Sequence, residues 1–416
     1  MKSIHRLLGH PLILFPAAIG LGLLIHHWTS PTPPQPHQDA TAALGEAQPP
    51  DLTENPAPLV SANPPPLPVE GEPLVIESLA PTTPDIDPSE VGELTPVAVP
   101  ETTAITQPVD DLPALTFREI WGYLMSGEED RWHPESELSD VVLFAPRLDQ
   151  TGKLVNRIRQ STYDAARARH VRVHLAIASA GQAGLLHFLL DPRYGRRDEF
   201  LRDIVQLATE RPLDGLQLDF ESMRVQDRPH FESFLIDLRS ALPDGLIFSL
   251  AIPARHGARK SDAFAYDGFA PLADRFLIMV YDEHWKGGPP GSISSGDWHR
   301  RVTTHSLRHF PPEKLIVGLP FYGRVWQLDR GARATRHSDL EDLAQHPEFA
   351  VRFDASGGHR MQFQRAIRFE GWFEDSQTAH AKMWDARTLG AWNVGFWRLG
   401  QEDGRIWQLM QLPAEQ

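Results

Sequence analysis

Leu213-Asp214-Gly215-Leu216-Gln217-Leu218-Asp219-Phe220-Glu221 sets acidic side chains at alternate places in an otherwise apolar run. In a strand successive side chains point to opposite faces, so Gln217, Asp219 and Glu221 share one face and Leu216, Leu218 and Phe220 the other. The apolar face is expected to pack and the polar face to carry chemistry. Neighbours on one face stand roughly 6.5 to 7 Å apart, close enough for two carboxylates to raise one another's proton affinity. A salt-bridged pair at a strand end is the plain alternative. The run is too apolar for a solvated edge, however, and burying two carboxylates without a use for them is costly.

Outward from this strand, short apolar runs alternate with longer helical stretches from Pro113 onward. Strands are predicted at Ile120 to Leu124, Asp140 to Ala145, Val171 to Ala178, Gly215 to Phe220, Leu246 to Ile252, Phe276 to Tyr281, Leu315 to Pro320 and Asn393 to Arg398. Between the third and fourth, Phe200, Leu201, Ile204, Val205 and Leu207 recur at helical spacing, as Phe231, Phe234, Leu235 and Leu238 do between the fourth and fifth. Eight strands in a stretch of this length predict an α/β fold closed as one (β/α)8 barrel. Active residues of such barrels sit at the C-terminal ends of strands, where Asp219 and Glu221 fall.

The N-terminal part has a different texture. Met1 to Trp28 begins with Lys2 and Arg6 and contains no Asp, Glu, Lys or Arg from Leu7 on, with its most apolar part from Pro11 to Ile25. This predicts an export signal or a membrane anchor, and an uncleaved anchor is favoured because the first small-x-small site, Ala40-Thr41-Ala42, lies far downstream. Positive charge ahead of the segment would keep the N-terminus in the cytoplasm and put the barrel outside, periplasmic or at the cell surface. Cleavage would instead release a secreted protein. Residues 29–112 are rich in Pro, Ala, Thr and acidic side chains, with Pro64-Pro65-Pro66 among them, and predict a disordered linker.

The formal charge of −15 is concentrated in that linker, which has fourteen Asp and Glu and no Lys or Arg between Thr29 and Leu112. Without those fourteen charges and the two positive ones at Lys2 and Arg6, the part from Pro113 onward carries −3. Such a balance gives no reason to expect nucleic acid as a partner. The chain has no cysteine, which removes disulfides, thiolate metal sites and cysteine nucleophiles together. Asp219, Glu221, Asp282 and His284 are conceivable metal ligands, but no close pair of histidines accompanies the acids, so neither a metal nor a cofactor is expected.

Four stretches in order resemble glycoside hydrolase family 18, the chitinase-like barrels. Asp214-Gly215-Leu216-Gln217-Leu218-Asp219-Phe220-Glu221 looks like its Asp-Gly-x-x-x-Asp-x-Glu signature, and Met279-Val280-Tyr281-Asp282 its Met-x-Tyr-Asp on the sixth strand. Lys314 to Arg324 resembles its seventh strand and Gly395-Phe396-Trp397-Arg398-Leu399-Gly400 its eighth. The resemblance implies that Glu221 protonates the leaving glycosidic oxygen while the substrate's own 2-acetamido oxygen is the nucleophile. It further implies that Asp219 orients that acetamido group and that Tyr281 donates to its oxygen. Asp282 would bind sugar hydroxyls and Trp397 would floor the site, with Met279, Trp285 and Tyr322 as walls and Gln217 also among the substrate-binding residues.

One departure bears on function. Classical chitinases carry an Asp where this chain has Gln217; without it Asp219 has no second acid to share charge with and is expected to stay ionised. The same amide replacement is similar to what envelope and spore peptidoglycan hydrolases of the family show. The resemblance therefore implies retaining hydrolysis of a β-linked N-acetylglucosamine glycan, chitin-like, poly-N-acetylglucosamine or peptidoglycan. A catalytically silent sugar-binding module or an envelope scaffold is the alternative.

Overall fold

The computed structural model describes residues 108–149, 151–179, 182–327, 331–344, 350–354, 358–364 and 368–414. The expected anchor at Met1 to Trp28, and all of the expected linker before Pro108, lie outside the described residues. Among the described residues no helix is long and apolar enough to cross a membrane. The membrane-anchored localisation is corrected accordingly: no described element supports it, and it is not carried further.

Eight parallel strands form a closed barrel: β1 (Glu119–Met125), β2 (Asp140–Leu148), β3 (Arg172–Ala178), β4 (Gly215–Asp219), β5 (Ile247–Pro253), β6 (Arg275–Met279), β7 (Leu315–Pro320) and, after an inserted sheet, β13 (Asn393–Trp397). Each pairs with the next, β13 pairs with β7 and β1, and β1 pairs with β2, so the barrel has no free edge. All eight lie where the alternation of apolar runs predicts them, with ends shifted by a few residues. Helices cover the outside: α1 (Gln160–Ala168), α2 (Ala183–Leu190), α3 (Arg197–Thr209), α4 (Arg228–Ala241) and α5 (Gly296–Ser306), with α7 (Ser376–Leu389) before β13. The repeat is not perfect. Among the described residues, β1 is followed only by a 3-10 turn at Glu129–Arg131, and no α-helix separates β5 from β6.

The central strand shows why this sequence closes as it does. Leu216, Leu218 and Phe220 are buried on the outer side, where Phe220 meets Phe200 of α3 and Phe231 of α4 with ring centroids 6.3 and 5.9 Å apart. The helical spacing delivers those partners, and burying each such aromatic contributes roughly 1.5 to 3 kcal/mol. α4 starts with a proline in its first turn, and α7 starts on a reciprocal Asp375–Thr378 capping box and stops at Gly390, whose φ of 101° suits glycine. The inner side is lined by Trp121, Tyr123, Val142, Ala176, Ala251, Leu277 and Ile316.

The N-terminal end of the barrel is closed by charge. Glu119 accepts from Arg275 Nη2 at 2.7 Å, Arg172 Nη2 at 2.9 Å and Trp121 Nε1 at 3.0 Å. Asp140 accepts from Arg172 Nη2 and pairs with His174 Nε2, both at 2.7 Å. Gly215 is required here, because a Cβ at that place would come within 2.0 Å of His174 Nδ1.

Between β7 and β13 the chain inserts an antiparallel sheet: β8 (Tyr322–Gln327), β9 (Gly331–Arg336), β10 (Ala350–Asp354), β11 (Gly358–Gln364) and β12 (Arg368–Phe373), ordered β9-β8-β12-β11-β10, with the short helix α6 (His337–Ala344). β8 follows β7 after the single residue Phe321, so the sheet rises directly from the barrel's C-terminal mouth.

Candidate active site

β4 ends at Asp219, the last residue of the strand, and Glu221 stands two residues further on at the mouth. Asp219 is buried and its Oδ1 has no hydrogen-bond partner. Burial, followed by the charge of Glu221, pushes its carboxyl well above the ordinary carboxylate range. The expectation that Asp219 stays ionised is thereby corrected: loss of a second acid at Gln217 matters less than loss of water. Glu221 is open to solvent at its tip, yet desolvation by the surrounding walls and then the charge of Asp282 raise its proton affinity too.

Gln217 lies one pleat deeper and is fully buried. Its Oε1 accepts from the Tyr123 hydroxyl, and its Nε2 donates to Ser249 Oγ at 3.1 Å. An amide so enclosed is out of a sugar's reach. Gln217 instead ties β4 to Tyr123 of β1 and Ser249 of β5 inside the barrel, partners that the strand pattern gave no reason to single out.

β6 ends at Met279, so Tyr281 and Asp282 lie in the loop beyond it, not on the strand. Asp282 has a left-handed φ of 59°, rare for a residue with a Cβ. The bend turns its carboxylate toward the inserted sheet, where it accepts from the Tyr322 hydroxyl and from Arg324 Nη2. Downstream, Glu283 ties the loop to itself, accepting from the Ser295 backbone N–H at 2.7 Å. Tyr281 meets Tyr322 edge-on at 6.2 Å, and burial, then its neighbours Tyr123 and Asp219, keep its phenol protonated.

Trp397, at the end of β13, touches both halves of the site. Its ring lies 5.2 Å from Tyr123 and 4.8 Å from Phe144 on the barrel side, and it packs against the cluster of Ile293, Tyr322, Trp326 and Trp372 on the inserted side. The peptide that follows it, Trp397–Arg398, is cis. Met279 packs on the inner cluster beside Phe144 and Trp397. Trp285 stands apart: it is 45% exposed, and its ring folds over Gly287 of its own loop. Among the described residues no group of three or more His, Cys, Asp or Glu is placed to hold a metal ion, and His284 spends its Nδ1 on the Ser292 carbonyl at 2.8 Å.

A closed parallel barrel with two protonatable carboxylates, two tyrosines and a tryptophan at the C-terminal ends of its strands belongs to the class of (β/α)8 barrels with an acid–base site at the strand ends. Within that class the chain belongs to the glycosyl hydrolases family 18, whose pattern matches residues 119–402. It is 26% identical over 226 residues to the cortical fragment-lytic enzyme of Bacillus anthracis, covering 51% of this chain and 53% of that protein. It is also 28% identical over 186 residues to probable chitinase 2 of Drosophila melanogaster, covering 38% of this chain and 36% of that one. The chain thus matches about half the length of the first of these relatives and less of the second. Among solved structures, the spore cortex-lytic enzyme SleL of Bacillus cereus superposes with a TM-score of 0.65 at 22% identity, covering 72% of this chain and 76% of that one. A class V tobacco chitinase in complex with NAG4 does so at 0.57 and 16%, covering 70% and 98%. These likenesses establish the barrel.

Proposed function

We propose that the chain is a retaining glycosidase that cleaves β-linked N-acetylglucosamine glycans with the substrate's acetamido oxygen as nucleophile. The observation that carries this reading is the pair of raised carboxyls at the end of β4: Glu221 open to the mouth, Asp219 buried behind it with a free oxygen. A carboxyl whose hold on its proton is strengthened by burial and a neighbouring acid, and which reaches solvent, is suited to protonate a leaving oxygen. Asp219, lacking a partner of its own, accepts the acetamido N–H and holds that group toward the anomeric carbon. In the ionised fraction of the enzyme, the Asp219 carboxylate balances the positive charge that develops as the ring closes. Tyr281 donates to the acetamido oxygen, and Asp282, fixed by Tyr322 and Arg324, binds hydroxyls. Trp397 offers its face to the pyranose ring. The family likeness supports hydrolysis in general, and the names of the relatives give chitin and spore cortex as the polymers to try first.

Two measurements test it together. Glu221→Gln keeps shape and loses the transferable proton, so turnover falls by roughly 10²- to 10⁴-fold while sugar binding persists. Fully deacetylated glucosamine oligomers have no acetamido oxygen and are not cut, whereas a thiazoline mimic of the cyclic intermediate inhibits more tightly than the parent sugar. Efficient cleavage of deacetylated oligomers, or a sugar trapped covalently on Asp219 or Glu221, rules the mechanism out.

A further inference from the structure

We propose that the His359–Asp375 pair is a proton-controlled latch between the inserted sheet and the barrel, closed in mildly acidic solution and loosened in mildly alkaline solution, which regulates the site that this sheet helps to wall. The proposal rests on the hydrolytic reading above and adds a control to it. Two short connections join the sheet to the barrel: Phe321 between β7 and β8, and Glu374–Asp375 between β12 and α7. His359 belongs to β11, and its Nε2 lies 2.6 Å from Asp375 Oδ2. Asp375 is also the N-cap of α7, its Oδ1 accepting the Thr378 backbone N–H at 2.9 Å. One carboxylate thus serves a barrel helix with one oxygen and the inserted sheet with the other. The imidazole is held for this contact by Phe373, its cross-strand partner in β12, on which it stacks at 5.1 Å and 19°.

The latch lies on a short path to the site. Gly358, the residue before His359, packs so closely that a Cβ there would stand 3.4 Å from Ser292 Oγ. The Ser292 carbonyl in turn engages His284 Nδ1, in the loop that carries Asp282. On the other side Trp372, next to Phe373, belongs to the cluster with Tyr322 and Trp326 against which Trp397 packs. The charged groups that face His359 are Asp375, Glu374 and Lys382, and Lys382 Nζ is bound to Glu374 Oε2 at 2.6 Å. Burial disfavours the imidazolium, but the bond to Asp375 and the charges of Asp375 and Glu374 outweigh it, so His359 holds its proton above the ordinary histidine value. Such a group stabilises fully below its unfolded pKa of about 6.5, and that contribution is lost as pH rises through the folded value. The ion pair is then reduced to a hydrogen bond from a neutral ring, and the sheet is held less firmly. Glu374 is itself raised by burial and titrates with the same sign, so a variant of His359 is needed to tell the two apart.

The test uses the full chain and follows hydrogen exchange in peptides from β11 and β12, corrected for the intrinsic effect of pH, at about pH 6 and about pH 8.5. Protection of the wild type falls roughly three- to tenfold at the higher pH, the advantage of a charge-assisted bond over a neutral one. His359→Gln keeps a donor for Asp375 and cannot take up a proton, so its protection is the same at both. Asp375→Asn keeps the helix cap and removes the charge, which moves the fall to lower pH and decides the matter alone if the first variant does not fold. The wild type's KM for an N-acetylglucosamine oligomer rises relative to that of His359→Gln over the same interval. Constant protection in the wild type, a fall undiminished in His359→Gln or unmoved in Asp375→Asn, or a KM that does not follow the protection overturns the proposal. Protection that falls in a protein without hydrolysis at any pH leaves the latch standing and defeats the hydrolytic reading, whereas hydrolysis with constant protection does the reverse.

Discussion

At the N-terminal end of the barrel, burial should raise the carboxyls of Glu119 and Asp140, yet both are held below their ordinary values by Arg275, Arg172 and His174. At the C-terminal mouth Asp219 and Glu221 meet the same desolvation with acids for neighbours, and both move the other way. One fold thus treats the same functional group in two ways, according to whether a cation has been placed beside it. The paired end contributes stability; the unpaired end holds protons in reserve at a cost to stability. A barrel can sustain the second because the first lies a full strand length away.

The contrast breaks most visibly at Asp219. Asp219→Asn should lower turnover by roughly 10²- to 10³-fold, because it removes the carboxylate that balances the positive charge developing on the substrate as its ring closes. Single-turnover rates on an N-acetylglucosamine oligomer check this, and the loss should exceed the change in affinity for the uncyclised sugar. At the other end Glu119→Gln should cost about 2 to 4 kcal/mol of stability at pH 7 by stripping Arg172 and Arg275 of their shared partner, with turnover of the folded protein little changed. Its sign with pH follows from the lowered carboxyl: the contribution of Glu119 is full above its unfolded pKa and is lost as pH falls through the folded one, so wild type and variant converge in acid. Denaturant melts at several pH values read this directly.

Asp219→Asn should also stabilise the fold by about 1 to 2 kcal/mol near neutrality, since it removes a desolvated acid without a partner. The sign is opposite to that of Glu119. A raised carboxyl weakens the native state as pH climbs from the unfolded to the folded pKa, so this gain disappears in acid, and a gain that persisted there would refute the cause. The smallest effect concerns Asp282. Its charge adds to burial in raising Glu221, so Asp282→Asn should move the alkaline limb of the rate profile to lower pH by less than about one unit.

Much of this was legible in the sequence, for identifiable reasons. The barrel strands announce themselves because they are short, largely apolar runs bounded by polar turns, and α3 and α4 because their phenylalanines recur at helical spacing. The alternation in β4 was enough to separate Phe220, which packs, from Asp219, which does not. The inserted sheet escaped, although its first strand begins within the recognised stretch ending at Arg324. Its strands mix charge with aromatic residues, as in Arg324-Val325-Trp326 and Glu370-Gly371-Trp372, so no period stands out. Arg324 was missed for a related reason: its importance depends on Asp282 turning toward it through a left-handed bend, and a bend of that kind leaves no trace in residue order. Gln217 was placed on the correct face and at the wrong depth. The closure of the barrel beneath it, which depends on Tyr123 and Ser249 from distant strands, settled the matter.

The pairing of β1 with β13 has a consequence for how the chain is made. Glu119 lies opposite Asn393 in that register, and the two-residue strand Leu115–Thr116 lies beside Met410–Gln411, so neither edge of the growing sheet is covered until the last barrel strand has been synthesised. During translation β1 and β7 each present an unsatisfied row of backbone donors and acceptors while the whole inserted sheet is being threaded between them. Contacts of such long sequence separation form slowly. Until the eighth strand emerges the nascent barrel is an open sheet of seven strands, and a ribosome that stalls within the inserted sheet would release a chain prone to aggregate rather than a shortened enzyme.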